Sequence, residues 1–156
     1  MSEVLVLVDH VGGTVRKTTN EMLTLARRIG EPSAVFIGDL SDDAKAALAK
    51  FGAEKIYTVD PRPLGPYLVT PKAEVLAKLV EQASPAAVLL SSSAEGKEIA
   101  ARLAIKTDSG VITDAVEVGE GAVATQSVFA GNYTVTSKVT KGTPIIAVKP
   151  NSAQPE

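Results

Sequence analysis

The chain has 156 residues, 45% of them hydrophobic and 22% charged, with 16 Lys and Arg against 18 Asp and Glu. That length and balance describe one ordinary folded domain, and exclude a disordered chain or a second full domain. A formal net charge of -2 offers no general footprint for phosphate backbones or anionic membranes, and the absence of cysteine excludes disulfides, thiolate metal sites, iron–sulfur clusters and cysteine nucleophiles.

Val4-Leu5-Val6-Leu7-Val8 is a short, continuous apolar run, read as a strand buried on both faces. A loop with His10, Gly12 and Gly13 follows. Met22, Leu25, Ala26 and Ile29 then recur at helical spacing before Gly30 as a stop. Ala34 to Ile37 is the second strand. Ser41 is placed to cap a helix whose stripe is Ala44, Ala47, Leu48 and Phe51, with Asp42 and Asp43 at its positive end. Lys55 to Val59 is the third strand, followed by an irregular connection with Pro61, Pro63 and Pro66.

Thr70 and Pro71 predict a helix start, with Thr70 as cap and Pro71 at the first helical position, and Val75, Leu76, Leu79, Val80 and Ala83 face inward. Ala86 to Leu90 is the fourth strand. Ser92 and Glu95 have capping-box spacing before a helix with Ile99, Ala100, Leu103 and Ala104 inside, ending near Ser109-Gly110. Alternating strands and helices to this point predict a mainly parallel sheet with helices on both faces.

After Gly110 the strand-like runs Val111 to Val118, Ala122 to Phe129, Tyr133 to Val139 and Pro144 to Val148 follow one another without helices. Gly-containing turns between them predict antiparallel hairpins. Alternation from Tyr133 to Thr140 predicts a hairpin buried on one face. The last run, wholly apolar, is expected to rejoin the main sheet. Residues 1–149 therefore read as one α/β domain, and 150–156 have the composition of a linker.

Few residues stand in a pattern that carries chemistry. Gly12-Gly13 lies where a phosphate loop would, but Arg16 stands where a third glycine is needed. Gly96-Lys97 fails as a P-loop, because Ser91 replaces the first glycine and Glu98 the magnesium-binding hydroxyl. Asp9 and His10 end the first strand on the rim where parallel sheets bind ligands, without a nucleophile or metal partner in view. Ser91, Ser92 and Ser93 reach the same rim, where helix capping is the simpler role. Asp108 and Asp114 lack the third carboxylate of a cation site. No catalytic, cofactor-binding or metal-ligating residue is assigned.

The sequence is similar to the N-terminal domain of the electron transfer flavoprotein alpha subunit. The likeness is carried by Val4 to His10, by Gly96 to Ala104, by Gly110-Val111-Ile112-Thr113-Asp114-Ala115-Val116 and by Val128-Phe129-Ala130-Gly131-Asn132-Tyr133, in order along essentially the whole chain. It implies a three-layer, Rossmann-like fold of the adenine-nucleotide alpha-hydrolase type, with a C-terminal antiparallel section. It also implies a scaffold that docks on a beta subunit, in a complex that takes electrons from flavin dehydrogenases. The FAD of that family lies in a C-terminal Gly-rich domain not found here, and AMP in the beta subunit, so no cofactor is expected on this chain and no enzymatic role. An opening without a signal peptide and with no membrane-length apolar run predicts a cytoplasmic location. The alternative is a free-standing nucleotide-binding domain resembling universal stress proteins, using Asp9, Gly12, Gly13 and Ser91 to Ser93.

Overall fold

The computed structural model describes residues 2–65 and 69–156, so Pro66 lies outside the described residues. Strand β1 is Glu3–Leu7, and a two-residue-per-arm hairpin, β2 (His10–Val11) and β3 (Thr14–Val15), precedes helix α1 (Lys17–Ala26). Then come β4 (Glu31–Ile37), α2 (Asp42–Lys50), β5 (Lys55–Val59), a 3-10 turn at Arg62–Leu64, α3 (Thr70–Ala83), β6 (Ala87–Ser91) and α4 (Ala94–Thr107). The remainder is β7 (Val111–Gly119), a second 3-10 turn at Glu120–Ala122, β8 (Val123–Val128), β9 (Tyr133–Ser137) and β10 (Ile145–Val148).

One eight-stranded sheet has the order β5-β4-β1-β6-β10-β7-β8-β9. All neighbours from β5 to β7 are parallel, and only the β7–β8 and β8–β9 pairs are antiparallel. Strand β10 enters between β6 and β7, as the unbroken apolar run Ile145-Ile146-Ala147-Val148 requires of a strand covered on both sides. The preceding loop is clasped to the end of α4. Gly110 N–H donates to Lys141 C=O at 3.0 Å, and Thr143 N–H to Ser109 Oγ at 3.0 Å.

Alternate residues of the strands feed two cores. Val4, Val6, Ala34, Phe36 and Leu89 meet Met22, Leu25 and Leu48 from α1 and α2, while Leu5, Val35, Val88 and Leu90 meet Leu76, Ile99 and Leu103 from α3 and α4. This is the predicted three-layer α/β arrangement, with helices on both faces and an antiparallel extension. The chain first builds outward from β1 to β4 and β5, then returns through α3 to β6 on the other side of β1. The topological switch point therefore falls between β1 and β6.

Three local expectations are corrected. Thr70 is the first residue of α3 and follows Val69, so Pro71 sits in the first turn and Thr70 makes no capping bond. The cap of α4 is Ser93, whose hydroxyl accepts from Gly96 N–H at 3.0 Å, because Ser92 is engaged elsewhere. Strand β9 is exposed on both faces: Tyr133 is 64% and Val135 41% accessible. The buried clusters reach Ala124 of β8 and include no residue of β9, so the alternation of Tyr133, Val135 and Ser137 has no core to face.

Candidate functional site

The carboxyl edge of the sheet gathers the residues that the sequence singled out. Asp9 is fixed by the first turn of α1: its N–H donates to Thr19 Oγ1 at 2.8 Å, and its Oδ2 accepts from Thr18 Oγ1 at 3.1 Å. Arg16 Nε lies 3.7 Å from its other oxygen. His10 faces away from this group. Its Nε2 is 2.8 Å from Ile37 C=O and its Nδ1 accepts from Gly13 N–H at 3.2 Å, which only the Nε2–H tautomer satisfies. Its ring lies on Phe36. Asp9 and His10, adjacent in sequence, therefore serve separate structural tasks: one seats α1, the other ties the β2–β3 hairpin to β4.

Gly12 and Gly13 form the tip of that hairpin with φ of 56° and 84°, the left-handed pair that a two-residue turn needs. They face a groove shared with Ser41, Asp43, Ala44 and Ala47, apart from Ser91 to Ser93. The structure thus splits the residues of the nucleotide-binding alternative between two places.

At the switch point itself a crevice of about 180 Å³ is lined by Leu7, Val8, Asp9, His10, Ile37, Lys72 and Glu95. A smaller recess of about 50 Å³ continues toward Ser91, Ser93, Gly96 and Ile99. Lys72 Nζ donates to Glu95 Oε1 at 2.6 Å across its mouth. Gly96 brings α4 directly onto β6, since a Cβ there would stand 1.7 Å from Ser91 C=O. Ligand pockets usually measure about 300–1,000 Å³. The crevice is below that range and its charges are already paired, so these residues do not fit a flavin dinucleotide.

Further along the same edge, Asp114 interrupts β7 with a φ of 54°, where the β10–β7 register shifts. Its N–H donates to Ser92 Oγ at 3.0 Å, and its Oδ1 accepts from the same hydroxyl at 3.0 Å. Lys97 Nζ stands 3.0 Å from Oδ2. Burial pushes this carboxyl up, but the bonds from Lys97 and Ser92 and the charges of Lys97 and Lys149 outweigh it and hold the pKa below the ordinary aspartate value. At the opposite edge, burial acts likewise on Glu3. Bonds from Ser33, Lys55 and Tyr57 reverse it and keep that carboxyl low, tying β1, β4 and β5 together.

Asp9, His10 and Ser91 to Ser93 lie on the edge where the sequence puts them, whereas Asp114, read only as a strand-end residue, and Lys72 and Lys149, which no motif marks, join them there through the fold. Lys97 stands in the sequence as part of a failed P-loop and of the Gly96 to Ala104 stretch, neither of which points to its pairing with Asp114. Among the described residues no group of three or more His, Asp or Glu side chains is arranged to hold a metal ion, and no helix is long and apolar enough to cross a membrane.

Fold and edge together define a doubly wound α/β domain whose rim residues are spent on joining elements to one another. Comparison with known proteins identifies which such domain it is: residues 4–156 match the electron transfer flavoprotein domain family, and the chain belongs to that family. It is 43% identical over its whole length to the electron transfer flavoprotein subunit alpha of Mycobacterium tuberculosis (strain ATCC 25618 / H37Rv), covering 50% of that protein. The alpha subunit of Mycobacterium leprae (strain TN) is also 43% identical, over 99% of this chain and 49% of its own. A more distant relative, subunit LctC of a lactate dehydrogenase (NAD(+),ferredoxin) from Acetobacterium woodii, is 28% identical over 83% of the chain. The chain spans about half the length of the alpha subunits it matches.

Proposed function

We propose that this chain is the N-terminal scaffold domain of an electron transfer flavoprotein alpha subunit. Its role is to dock on a beta subunit and support the half that holds FAD. The observation that carries the reading is the match over residues 4–156 to alpha subunits of which the chain spans half. In this reading residues 1–149 are the scaffold and 150–156 begin the connection to the flavin half. The chain is a cytoplasmic carrier component without catalysis of its own, AMP belongs to the beta subunit, and flavin dehydrogenases meet the assembled complex.

Two features support the division of labour. The switch-point crevice is too small for a dinucleotide, which agrees with FAD being held by residues outside this chain. The uncharged β9 edge, with Phe129 75% and Tyr133 64% exposed beside it, is a sheet end that natural proteins rarely leave open, and the beta subunit is its natural cover. Mixing the chain with a family beta subunit and a flavin-binding alpha half should give a co-eluting complex that is yellow after FAD is added. A chain that remains monomeric and colourless in that mixture overturns the reading.

A further inference from the structure

Residues 149–156 have the composition of a linker, yet they lie in a built seat along α1. Lys17, Glu21, Thr24 and Arg27 are spaced to share one face of that helix, and each holds the tail. Glu21 Oε2 accepts from Asn151 N–H at 2.9 Å, and Lys17 Nζ donates to Asn151 Oδ1 at 3.3 Å. Thr24 Oγ1 accepts from Glu156 N–H at 3.1 Å, and Arg27 Nη2 donates to the main-chain oxygen of Glu156 at 2.6 Å. The tail is shaped for the seat. Asn151 takes the left-handed conformation at φ 61°, Ser152 Oγ bonds back to Lys149 C=O, and Ala153 packs against the core.

The seat is held by specific contacts but is not free of strain. The Glu21 side chain is 2% exposed, and among the described residues its Oε1 makes the ion pair with Lys17 at 3.3 Å but no hydrogen bond. Asn20 Oδ1, next to it on the helix, is also buried and accepts no hydrogen bond from the described residues. Incompletely satisfied buried acceptors are costly, and lifting the tail returns the Glu21 carboxylate to water. Opposed terms of this kind make an element that opens locally, well below the cost of unfolding the domain.

We propose that residues 149–156 form a strap that closes on α1 and opens as a unit, with Glu21 as its latch. Closed, it fixes the direction in which the chain leaves β10. Open, it uncovers Glu21 and Thr24, which are buried beneath it between the exposed Lys17 and Arg27. The inference rests on contacts within this chain and stands apart from the functional reading above.

Amide hydrogen exchange on the full chain tests it. The Asn151 and Glu156 amides should exchange more slowly than in a free peptide of residues 149–156, yet faster than Ile146 to Val148 in β10. Glu21→Ala should speed tail exchange about tenfold or more while leaving the β10 amides unchanged. If that variant melts early, Thr24→Val, which removes one acceptor at nearly constant volume, should speed the Glu156 amide in the same way. Tail amides that exchange at the free-peptide rate in the unaltered chain would overturn the strap. So would tail amides that exchange only at the rate of β10 in every variant.

Discussion

The imidazole of His10 lies flat on the ring of Phe36, with centroids 4.2 Å apart and planes inclined by 12°. Phe36 is fully buried in β4, so the stack joins the hairpin that follows β1 to the neighbouring strand, and the bond to Ile37 C=O locks it. Replacing His10 with Ala removes the stack and both ring hydrogen bonds. The expected cost is about 1–3 kcal/mol in a urea denaturation, with looser exchange of the Gly13 amide. Unchanged stability would mean that the hairpin contributes nothing to the fold.

Gly96, which fails as part of a P-loop in the sequence, is a packing residue in the fold. Gly96→Ala would force its Cβ into Ser91 C=O, against backbone that cannot swing aside. A loss on the order of 3 kcal/mol is expected, measured as a fall in the denaturant midpoint. Gly12→Ala meets no atom within 4 Å and strains only its φ of 56°, so it should cost less.

Acid should weaken the fold through Asp114 and Glu3. Both carboxyls titrate lower in the folded chain than in the unfolded one. Each therefore stabilises at pH above the unfolded value of about 4, and that contribution is lost as pH falls through the folded value. Stability measured from pH 7 downward should hold for these groups to about pH 5 and decline below about 4. Asp114→Asn and Glu3→Gln should each flatten the decline while lowering stability at pH 7. A decline as steep in the double variant as in the parent would assign it to other groups.

Charge placed on the open edge should weaken docking without harming the domain. Val135→Lys with Tyr133→Lys is expected to reduce affinity for a beta subunit at least tenfold in calorimetry. Melting should shift little, because surface changes usually stay within about 0.5 kcal/mol. Undiminished binding would move the interface elsewhere on the surface.

Apart from the β2–β3 hairpin, whose residues read as a loop, the strand and helix order was legible from Val4 to Thr107, because local periodicity and caps such as Ser41, whose hydroxyl accepts from Ala44 N–H at 3.1 Å, carry that information. The β10 position was also legible, since four apolar residues in a row need cover on both sides. What could not be read were choices made by distant partners. The capping-box spacing to Glu95 favours Ser92 as the cap, until Asp114, 22 positions away, claims its hydroxyl and leaves the role to Ser93. Strand β9 alternates as a half-buried strand should, and only the limit of the buried clusters at β8 shows that its apolar side faces outward. The linker-like tail gave no hint of its seat, because Glu21 and Asn151 are 130 residues apart.

The position of β10 also governs how the molecule can be made. A strand near the middle of the sheet follows the other seven strands of that sheet in the chain, and among the described residues it alone joins β6 to β7. Until Ile145 to Val148 leave the ribosome, the nascent chain holds two incomplete sheets: a parallel one ending at β6, and a local meander of β7, β8 and β9. Closure depends on pairing across long stretches of sequence, which slows folding and leaves the unpaired edges of β6 and β7 exposed to other chains in the interval.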